Sequence, residues 1–470
     1  MKNYKLAWRN LWRNRRRTMI TAGSIFLAVF FALLMRSVQL GTYGHLFGNI
    51  IESYSGYIQI QSEDFFEDQV VDNSFAGSPE LERLLLEDEN VKGIIPRFES
   101  FALASSGSST RGVLVMGIDP ERESALSNVE AKLVKYILSD KVLGELENEN
   151  LPENIMKNIR LFRAKAYSSE SRIELDLGLN DKEAEEILPH ITRLASVQSS
   201  YLKTGKPGAL VGGALAKYLG LSRGDTIVLL GQGYHGSTAA GKYVIEGIVS
   251  LPAPELEARL VYLPLDICQD LYAAGGMLTS IALEVKNTDD RDIDRTIARL
   301  ETSLDESYRI LGWRELNQAV VQQMEADNAG GMIMIVILYL VIAFGVFGTV
   351  LMMTAERRRE FGVVVAIGMQ KSKLAAVMIY EMLYMGIIGI LMGVLAATPI
   401  IIYLYYHPVA FSGEIAKMME DYGFEALFKS KWIDTYYLWQ SLIVGIIVMV
   451  SVIYPVRKIL KLKEINAIRS

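Results

Sequence analysis

Apolar positions along this 470-residue chain follow two regimes. In four places they run almost unbroken: Thr18 to Leu40, Met332 to Ala355, about Met382 to Tyr405, and Tyr437 to Val456. A bilayer core takes about 20 mostly apolar helical residues, and core helices of soluble proteins seldom run so far without a charged face. Four membrane-spanning helices are predicted. The first run follows a basic stretch, as a secretory signal does. Its apolar part nevertheless exceeds the usual length of roughly 7 to 15 residues, and no small-x-small site comes after it, so an uncleaved anchor is expected.

Between the first two runs the pattern shortens. Ile58 and Ile60 alternate with Gln59 and Gln61, residues 112–118 (GVLVMGI) and 226–230 (TIVLL) are short apolar runs, and Ile281, Leu283 and Val285 alternate again. These read as strands. Ser78 before Pro79 reads as a helix start, and Asn180 with Glu183 has capping-box spacing. Ile293, Ile297, Leu300 and Leu304 trace one face of a further helix. An α+β domain in two lobes is expected, with a helical, acidic stretch from about 130 to 205 separating early strands from late ones. Residues 315–331 are polar and free of proline. They allow a helical stalk continuous with the second span, with a flexible linker at Gly330 and Gly331 as the alternative.

Charge orients this pattern. Residues 1–17 carry seven Lys/Arg and no acid, residues 356–373 five against two acids, and residues 457–470 five against one. Residues 41–330 carry 45 Asp/Glu and 27 Lys/Arg. Basic short segments stay on the cytoplasmic side, so both termini and the 356–373 loop are expected inside and the acidic domain outside.

Candidate chemistry is sparse. One cysteine, Cys268, excludes an internal disulfide, and four scattered histidines show no zinc spacing, so no metal is expected. Residues 231–242 (GQGYHGSTAAGK) imitate a phosphate loop. Tyr243 stands where a magnesium-binding Ser or Thr is needed, and a strand-like segment comes next, so a turn between strands is the reading. No hydrolase or kinase signature is present, and no catalytic residue is expected. Glu381, at one end of the third run, is either a functional ionisable group at membrane depth or an interfacial residue paired with a nearby lysine. Gly386, Gly389 and Gly393 permit close helix approach, within one chain or between two.

Two basic segments remain. In residues 4–17, Tyr4, Trp8, Leu11 and Trp12 share helical spacing, with Lys5, Arg9, Arg13 and Arg16 one step around, as in an interfacial amphipathic helix. Arg13, Arg15, Arg16 and Arg17 form its membrane-surface basic cluster. Residues 355–381 (AERRREFGVVVAIGMQKSKLAAVMIYE) start basic and then turn apolar, which in a short inner loop suggests a partner dock. This loop resembles the signature loop of FtsX/MacB/LolC-type permeases, the type VII ABC transporters. AWRNLWRNRRRTMITAGSI (7–25) is similar to that family's approach to its first span, and YPVRKILKLKEINAIRS (454–470) to its C-terminal ending. GALAKYLGLSRGDTIVLL (213–230) and VYLPLDICQDLY (261–272) resemble the outer domain of the lipoprotein-releasing LolC/LolE branch.

The resemblance implies an α-helical membrane protein with four transmembrane helices and a large α+β extracytoplasmic domain, a MacB-like periplasmic core, inserted between helices 1 and 2. The expected divisions are 1–40, 41–330 and 331–470, the last an FtsX-like permease domain with a coupling loop at 356–373. It further implies a non-enzymatic permease subunit in a bacterial inner membrane, with ATP and Mg bound by a separate ABC ATPase. That ATPase would dock on Glu360, Phe361, Gly362, Val363, Val364, Ala366, Ile367 and Gly368. A second permease subunit, identical or related, is expected, with lipoprotein cargo, a periplasmic carrier and membrane lipids as further partners and no nucleic acid. Acyl chains are expected near Val29, Phe30, Leu33 and Leu34. Efflux of a peptide or drug, signalling to an envelope enzyme, and a non-ABC receptor are the alternatives.

Overall fold

A computed structural model of the chain describes residues 3–13, 15–107, 109–149, 151–251, 254–421 and 427–461. The side chains of Arg17, Leu46, Phe47, Asn49, Ile50, Glu52, Ser53, Pro254, Val320, Met419, Glu420 and Asp421 lie outside that description, as do residues 462–470 of the C-terminal motif.

Helices α1 (Asn3–Arg13) and α2 (Arg15–Ile50) lead to β1 (Ile58–Ser62), α3 (Pro79–Leu86) and the hairpin β2 (Val91–Ser106) and β3 (Ser109–Ile118). Four helices come next: α4 (Asp140–Glu147), α5 (Glu153–Leu161), α6 (Glu170–Leu177) and α7 (Asp181–Ala195). Then come β4 (Ala209–Gly212), β5 (Thr226–Gln232), β6 (Thr238–Val249), β7 (Leu260–Pro264), β8 (Ser280–Val285), α8 (Asp290–Ser303) and β9 (Tyr308–Gly312). The chain continues through α9 (Gln318–Glu356), α10 (Arg358–Ala366), α11 (Lys371–Tyr406), α12 (Gly413–Asp421) and α13 (Tyr436–Leu460). Two compact units result: residues 1–45, 322–409 and 427–470 form one, and residues 46–321 with 410–426 the other.

The first unit contains four helices long and apolar enough to cross a membrane, Thr18–His45, Val321–Glu356, Lys371–Tyr406 and Tyr436–Leu460. The second starts well before Met332 because the polar approach is itself helical and passes through Gly330 and Gly331 unbroken. Ile25 and Val29 of α2, Val346 and Val350 of α9, Met382 and Met385 of α11, and Val444 and Val448 of α13 share one core. Glycines set its closest contacts. A Cβ on Gly389 would stand 2.7 Å from the Ile25 Cβ, and one on Gly393 2.8 Å from the Val29 Cβ, so both seat α2 within this chain. Inside the core the Tyr339 hydroxyl donates to Gln440 Oε1, so both buried polar groups are satisfied. Tyr405, Tyr406 and Trp432 cluster at one end of the bundle, and Trp8, Trp12 and Tyr384 at the other, as interfacial aromatics do.

The second unit is α+β and bilobal. Its sheet runs β9-β1-β8-β2-β3-β7-β4-β6-β5, with β5 also paired to β2. β2 is long enough to serve twice: its first half pairs with β8 (Arg97 opposite Ser280), and its second half with β5 (Leu103 opposite Leu230). That second pairing closes β2, β3, β7, β4, β6 and β5 into a six-stranded barrel. Period-2 patterning fills it: Ala102, Ala104, Val113, Val115, Ala209, Val211, Ile227 and Leu229 point into one core. Small alanines suit so narrow an interior. The glycine-rich 231–242 segment ends β5, makes the turn and opens β6, as its context indicated.

Both helix-start signals are realised. Ser78 Oγ accepts from Leu81 N at 3.1 Å, and Asn180 and Glu183 exchange both capping-box bonds. α3 and α8 cover the sheet extension, with Ile293 and Leu300 buried against it. Arg299 of α8 grips Asp88 through two bonds, 2.6 and 2.9 Å, and its guanidinium holds the Asp88 carboxyl below the usual carboxylate range. A carboxyl whose folded pKa is depressed stabilises the fold above its unfolded pKa of about 3.9, and that contribution is lost as pH falls through the folded value. Asp88→Asn should therefore lower the thermal midpoint at pH 7, and the gap to wild type should shrink below about pH 4. Differential scanning fluorimetry across pH checks this, and a pH-independent gap contradicts it.

At the start of this unit α2 passes into a π-helical turn, Ile51–Ser55, ended by Gly56 at φ +69°. The Arg97 guanidinium donates to the Tyr54 carbonyl, and it pairs with Glu123 at 2.5 and 3.1 Å with both side chains essentially buried. Burial works against the Arg97 charge, but Glu123 more than offsets it and pushes the guanidinium pKa up. Asn317, just before α9, donates to Ser55 Oγ at 2.9 Å. The points where α2 arrives and α9 departs are thus bonded to each other.

The 130–205 region proves to be a separate helical lobe, α4 to α7, with its own core of Leu138, Ile155, Ile159, Ile173 and Ile191. It gains an element from far along the chain. Ala416 of α12 is fully buried in that core, Glu414 pairs with Lys157 at 3.0 Å, and Lys417 donates to the Leu161 carbonyl at 3.2 Å. The connection between the third and fourth spans therefore belongs to the unit inserted between the first and second.

Candidate docking site on α10

α10 is short because both ends are broken. Arg357 leaves helical geometry at φ −91°, ψ 4°, and Gly368, at φ +105°, supplies the left-handed turn that ends it. Its nine residues then present two sides. Phe361 (4% exposed) and Gly362 are buried in the membrane unit's core, whereas Val363, Val364, Ala366, Ile367 and Gly368 are exposed, Ile367 at 82%. Glu360 stays half exposed beside them. The expected docking set is therefore divided: Phe361 and Gly362 anchor the helix, and the outward residues form the available surface. The physical reason is that a nine-residue helix must bury one side to hold a fixed orientation.

Charge fixes the helix from behind. Glu381 of α11 is 3% exposed and accepts from Arg357 at 2.6 Å and from Asn10 Nδ2 of α1 at 2.7 Å. The Arg357 guanidinium also lies 5.0 Å from the Phe361 ring centroid, and its Nε is 3.5 Å from Glu360 Oε2. Arg13 of α1 reaches the same Glu360 oxygen at 3.1 Å. One network thus joins α1, the α9–α10 junction, α10 and α11. Glu381 is paired with an arginine 24 positions upstream rather than with a nearby lysine. The spacing of α11 placed it at a helix end, but no local pattern identified its partner.

α1 is correspondingly more than an interfacial float. Ala7 and Leu11 are buried, Trp8 meets Tyr384 edge-on at 5.4 Å, and Tyr4, Trp8 and Trp12 keep open faces. Leu11 thus leaves the expected outward set. Arg13, Arg15 and Arg16 are exposed. Val29 and Leu33, expected beside acyl chains, are fully buried, and Phe30 and Leu34 pack partly on the same core. Gly393 explains this, since its missing side chain lets Val29 seat against α11. The apolar surface left open lies instead on Leu27 and Phe31 of α2 and along α9 from Met332 to Phe344.

A bundle of four apolar helices, a short amphipathic helix bonded to it at its basic end, and an α+β unit inserted after the first span define a multi-pass membrane protein. Residues 332–463 match the family described as FtsX-like permease C-terminal. The stretch from the second span through the fourth is thus similar to the C-terminal region of FtsX-like permeases. The chain is 24% identical over 227 residues to the lipoprotein-releasing system transmembrane protein LolC of Xylella fastidiosa (strain 9a5c), covering 46% of this chain and 52% of that one. It is 24% identical over 243 residues to the uncharacterized ABC transporter permease MJ1507 of Methanocaldococcus jannaschii, 48% of this chain and 55% of that one. The chain spans about half the length of the curated relatives it matches. Among solved structures, the periplasmic region of MacB from Actinobacillus actinomycetemcomitans aligns with 59% of this chain and 97% of its own, at 10% identity and a TM-score of 0.31. The extracellular domain of the Gram-positive transporter YknZ aligns with 55% of this chain and 100% of its own, at 10% identity and a TM-score of 0.27.

Proposed function

We propose that this chain is the membrane subunit of an ABC transporter, driven by a separate ATPase that grips the outward side of α10. The observation that carries the reading is the exposure of Val363, Val364 and Ile367 on a helix whose other side is locked by the Arg357–Glu381 pair. A rigid helix with an apolar outer face transmits a push, whereas a loose loop absorbs it. Nucleotide and Mg belong to the partner, and this chain performs no bond chemistry. In this reading the basic ends face the cytoplasm of a bacterial inner membrane and the α+β unit lies outside. α2 and α9 carry the stroke outward, and two permease subunits act as a pair. The cargo proposed is a lipoprotein leaving the outer leaflet, a reading supported by the similarity to LolC.

Purification of the chain from its native membrane in gentle detergent tests both levels. An ATP-hydrolysing subunit is expected to accompany it, together with acylated polypeptide identified by mass spectrometry. Absence of any ATPase overturns the transporter reading, and an ATPase accompanied by a non-acylated ligand overturns only the lipoprotein cargo.

A further inference from the structure

β9 ends the nine-stranded sheet and is paired on one side only, to β1. The register sets Ser62 opposite Tyr308, Gln61 opposite Arg309, Ile60 opposite Ile310 and Ile58 opposite Gly312. Just beyond the two strand ends, Glu63 N donates to the Ser307 carbonyl at 3.0 Å and Trp313 N to the Tyr57 carbonyl at 2.9 Å. Bonded and non-bonded pairs alternate in an antiparallel ladder. Arg309 and Leu311 therefore exchange bonds with β1, whereas the backbone of Tyr308, Ile310 and Gly312 faces the other way. Tyr308 N is taken up by the Asp305 carbonyl at 3.0 Å. Among the described residues nothing accepts from Ile310 N or Gly312 N, and nothing donates to the Tyr308 or Ile310 carbonyl.

Proteins ordinarily blunt such an edge with proline, a bulge or a charged side chain along it. β9 contains no proline, and its pairing shows no register shift. Its one cation, Arg309, is turned aside to Glu63 at 3.2 Å and over the Phe66 ring, 4.7 Å from the centroid. The strand is thus left able to extend the sheet.

Charge says by what. A cleft of about 550 Å³ beside the strand is lined by Tyr308, Arg309 and Ile310 and by four glutamates, Glu63, Glu301, Glu306 and Glu315. Glu63 is matched by Arg309, but Glu301, Glu306 and Glu315 are exposed and have no ion pair among the described residues. Two copies of β9 meeting edge to edge would bring these glutamates together, and like charges placed opposite each other destabilise strand pairing. An extended segment carrying lysine or arginine satisfies both the open backbone and the acidic cleft.

We propose that β9 is a strand-addition site for an extended cationic segment of a partner polypeptide. The backbone groups of Tyr308, Ile310 and Gly312 continue the ladder into the partner, and Glu301, Glu306 and Glu315 select its basic side chains. The site follows from the sheet alone and is independent of the transport reading.

Fluorescence anisotropy of a labelled heptapeptide of alternating lysine and valine, titrated with the purified full chain, tests this. Wild type should bind the peptide saturably, and a counterpart N-methylated along its backbone should bind about tenfold or more weakly. Gly312→Pro should weaken binding by a similar factor. Gly312 sits at φ −78°, near the angle that proline imposes, and its N–H lies outside the β1 ladder, so the ring removes an edge donor without breaking a bond of the sheet. A Cβ there meets only the end of the Ile297 side chain, at 3.1 Å. Glu301→Lys combined with Glu306→Lys alters exposed positions only and should also weaken binding tenfold or more, which keeps the test decisive should Gly312→Pro misfold. Absence of saturable binding by wild type overturns the site, as does wild-type affinity in a folded Gly312→Pro chain or in the double lysine variant. Equal binding of the N-methylated peptide also overturns it, by showing charge attraction without strand pairing. So does complete disulfide cross-linking of Glu306→Cys copies, which places a second copy of the chain on the edge.

Discussion

Ile367→Asp combined with Val363→Asp is expected to leave the chain folded and inserted while reducing the ATPase activity recovered with it by about 30-fold or more. Neither side chain belongs to this chain's buried core: Ile367 is 82% exposed and Val363 41%, so their replacement removes little internal packing. Apolar residues at the centre of an interface typically contribute about 2 kcal/mol or more each when buried by a partner, and a charge placed there adds desolvation cost. Two such losses suffice for the stated drop. Phe361→Ala is the informative contrast. That ring is 4% exposed and sits beneath the Arg357 guanidinium, so its loss should lower the melting temperature of the chain itself, by the equivalent of about 3 kcal/mol. ATPase activity measured on the detergent-purified complex, alongside thermal melting of each variant, separates the two effects. Wild-type coupling in the double aspartate variant would remove the docking role of α10.

The second large effect is expected at Arg357→Ala. It strands the Glu381 carboxylate, 3% exposed, with the neutral Asn10 amide still donating to it but no counterion. Breaking a buried pair from one side commonly costs about 3–5 kcal/mol, because a charge remains uncompensated. Glu381→Gln should be milder, since the amide oxygen can still accept from Asn10 or Arg357. Replacing both by methionine should recover much of the stability, as apolar residues of similar volume often do. Melting of the three variants in one detergent measures this. An additive loss in the double variant would show that the two groups are not coupled. If stability returns without ATPase coupling, the network serves to aim α10 rather than only to hold the bundle.

How much of the molecule was legible in the sequence depends on the range of each interaction. The capping pairs at Ser78 and Asn180, the strands around Ile58 and Ile281, and the four apolar runs are local or periodic, and each appears where its pattern placed it. The candidate dock on α10 was legible from apolar residues next to a basic stretch. Its division into buried and open sides was not, because Phe361 and Val363 are both apolar and only neighbouring helices decide which turns inward. Val29 and Leu33 illustrate the same gap: they are as apolar as Leu27 and Phe31, but Gly393 of α11 takes up one pair and leaves the other open.

The linear order of residues was enough for features set by transfer energy and backbone geometry: the number of spans, the sign of charge at their ends, the insertion of an α+β unit, and the resemblance carried by the 355–381 loop. Contacts between distant positions needed the folded molecule. It alone paired Arg357 with Glu381, closed six strands into a barrel through Leu103 and Leu230, and placed Ala416 in the core of a lobe formed more than 200 residues earlier. The reason is physical: a side chain's apolarity or charge is written in its own identity, whereas the group that satisfies it is chosen by packing among all the surfaces the chain brings within a few ångströms.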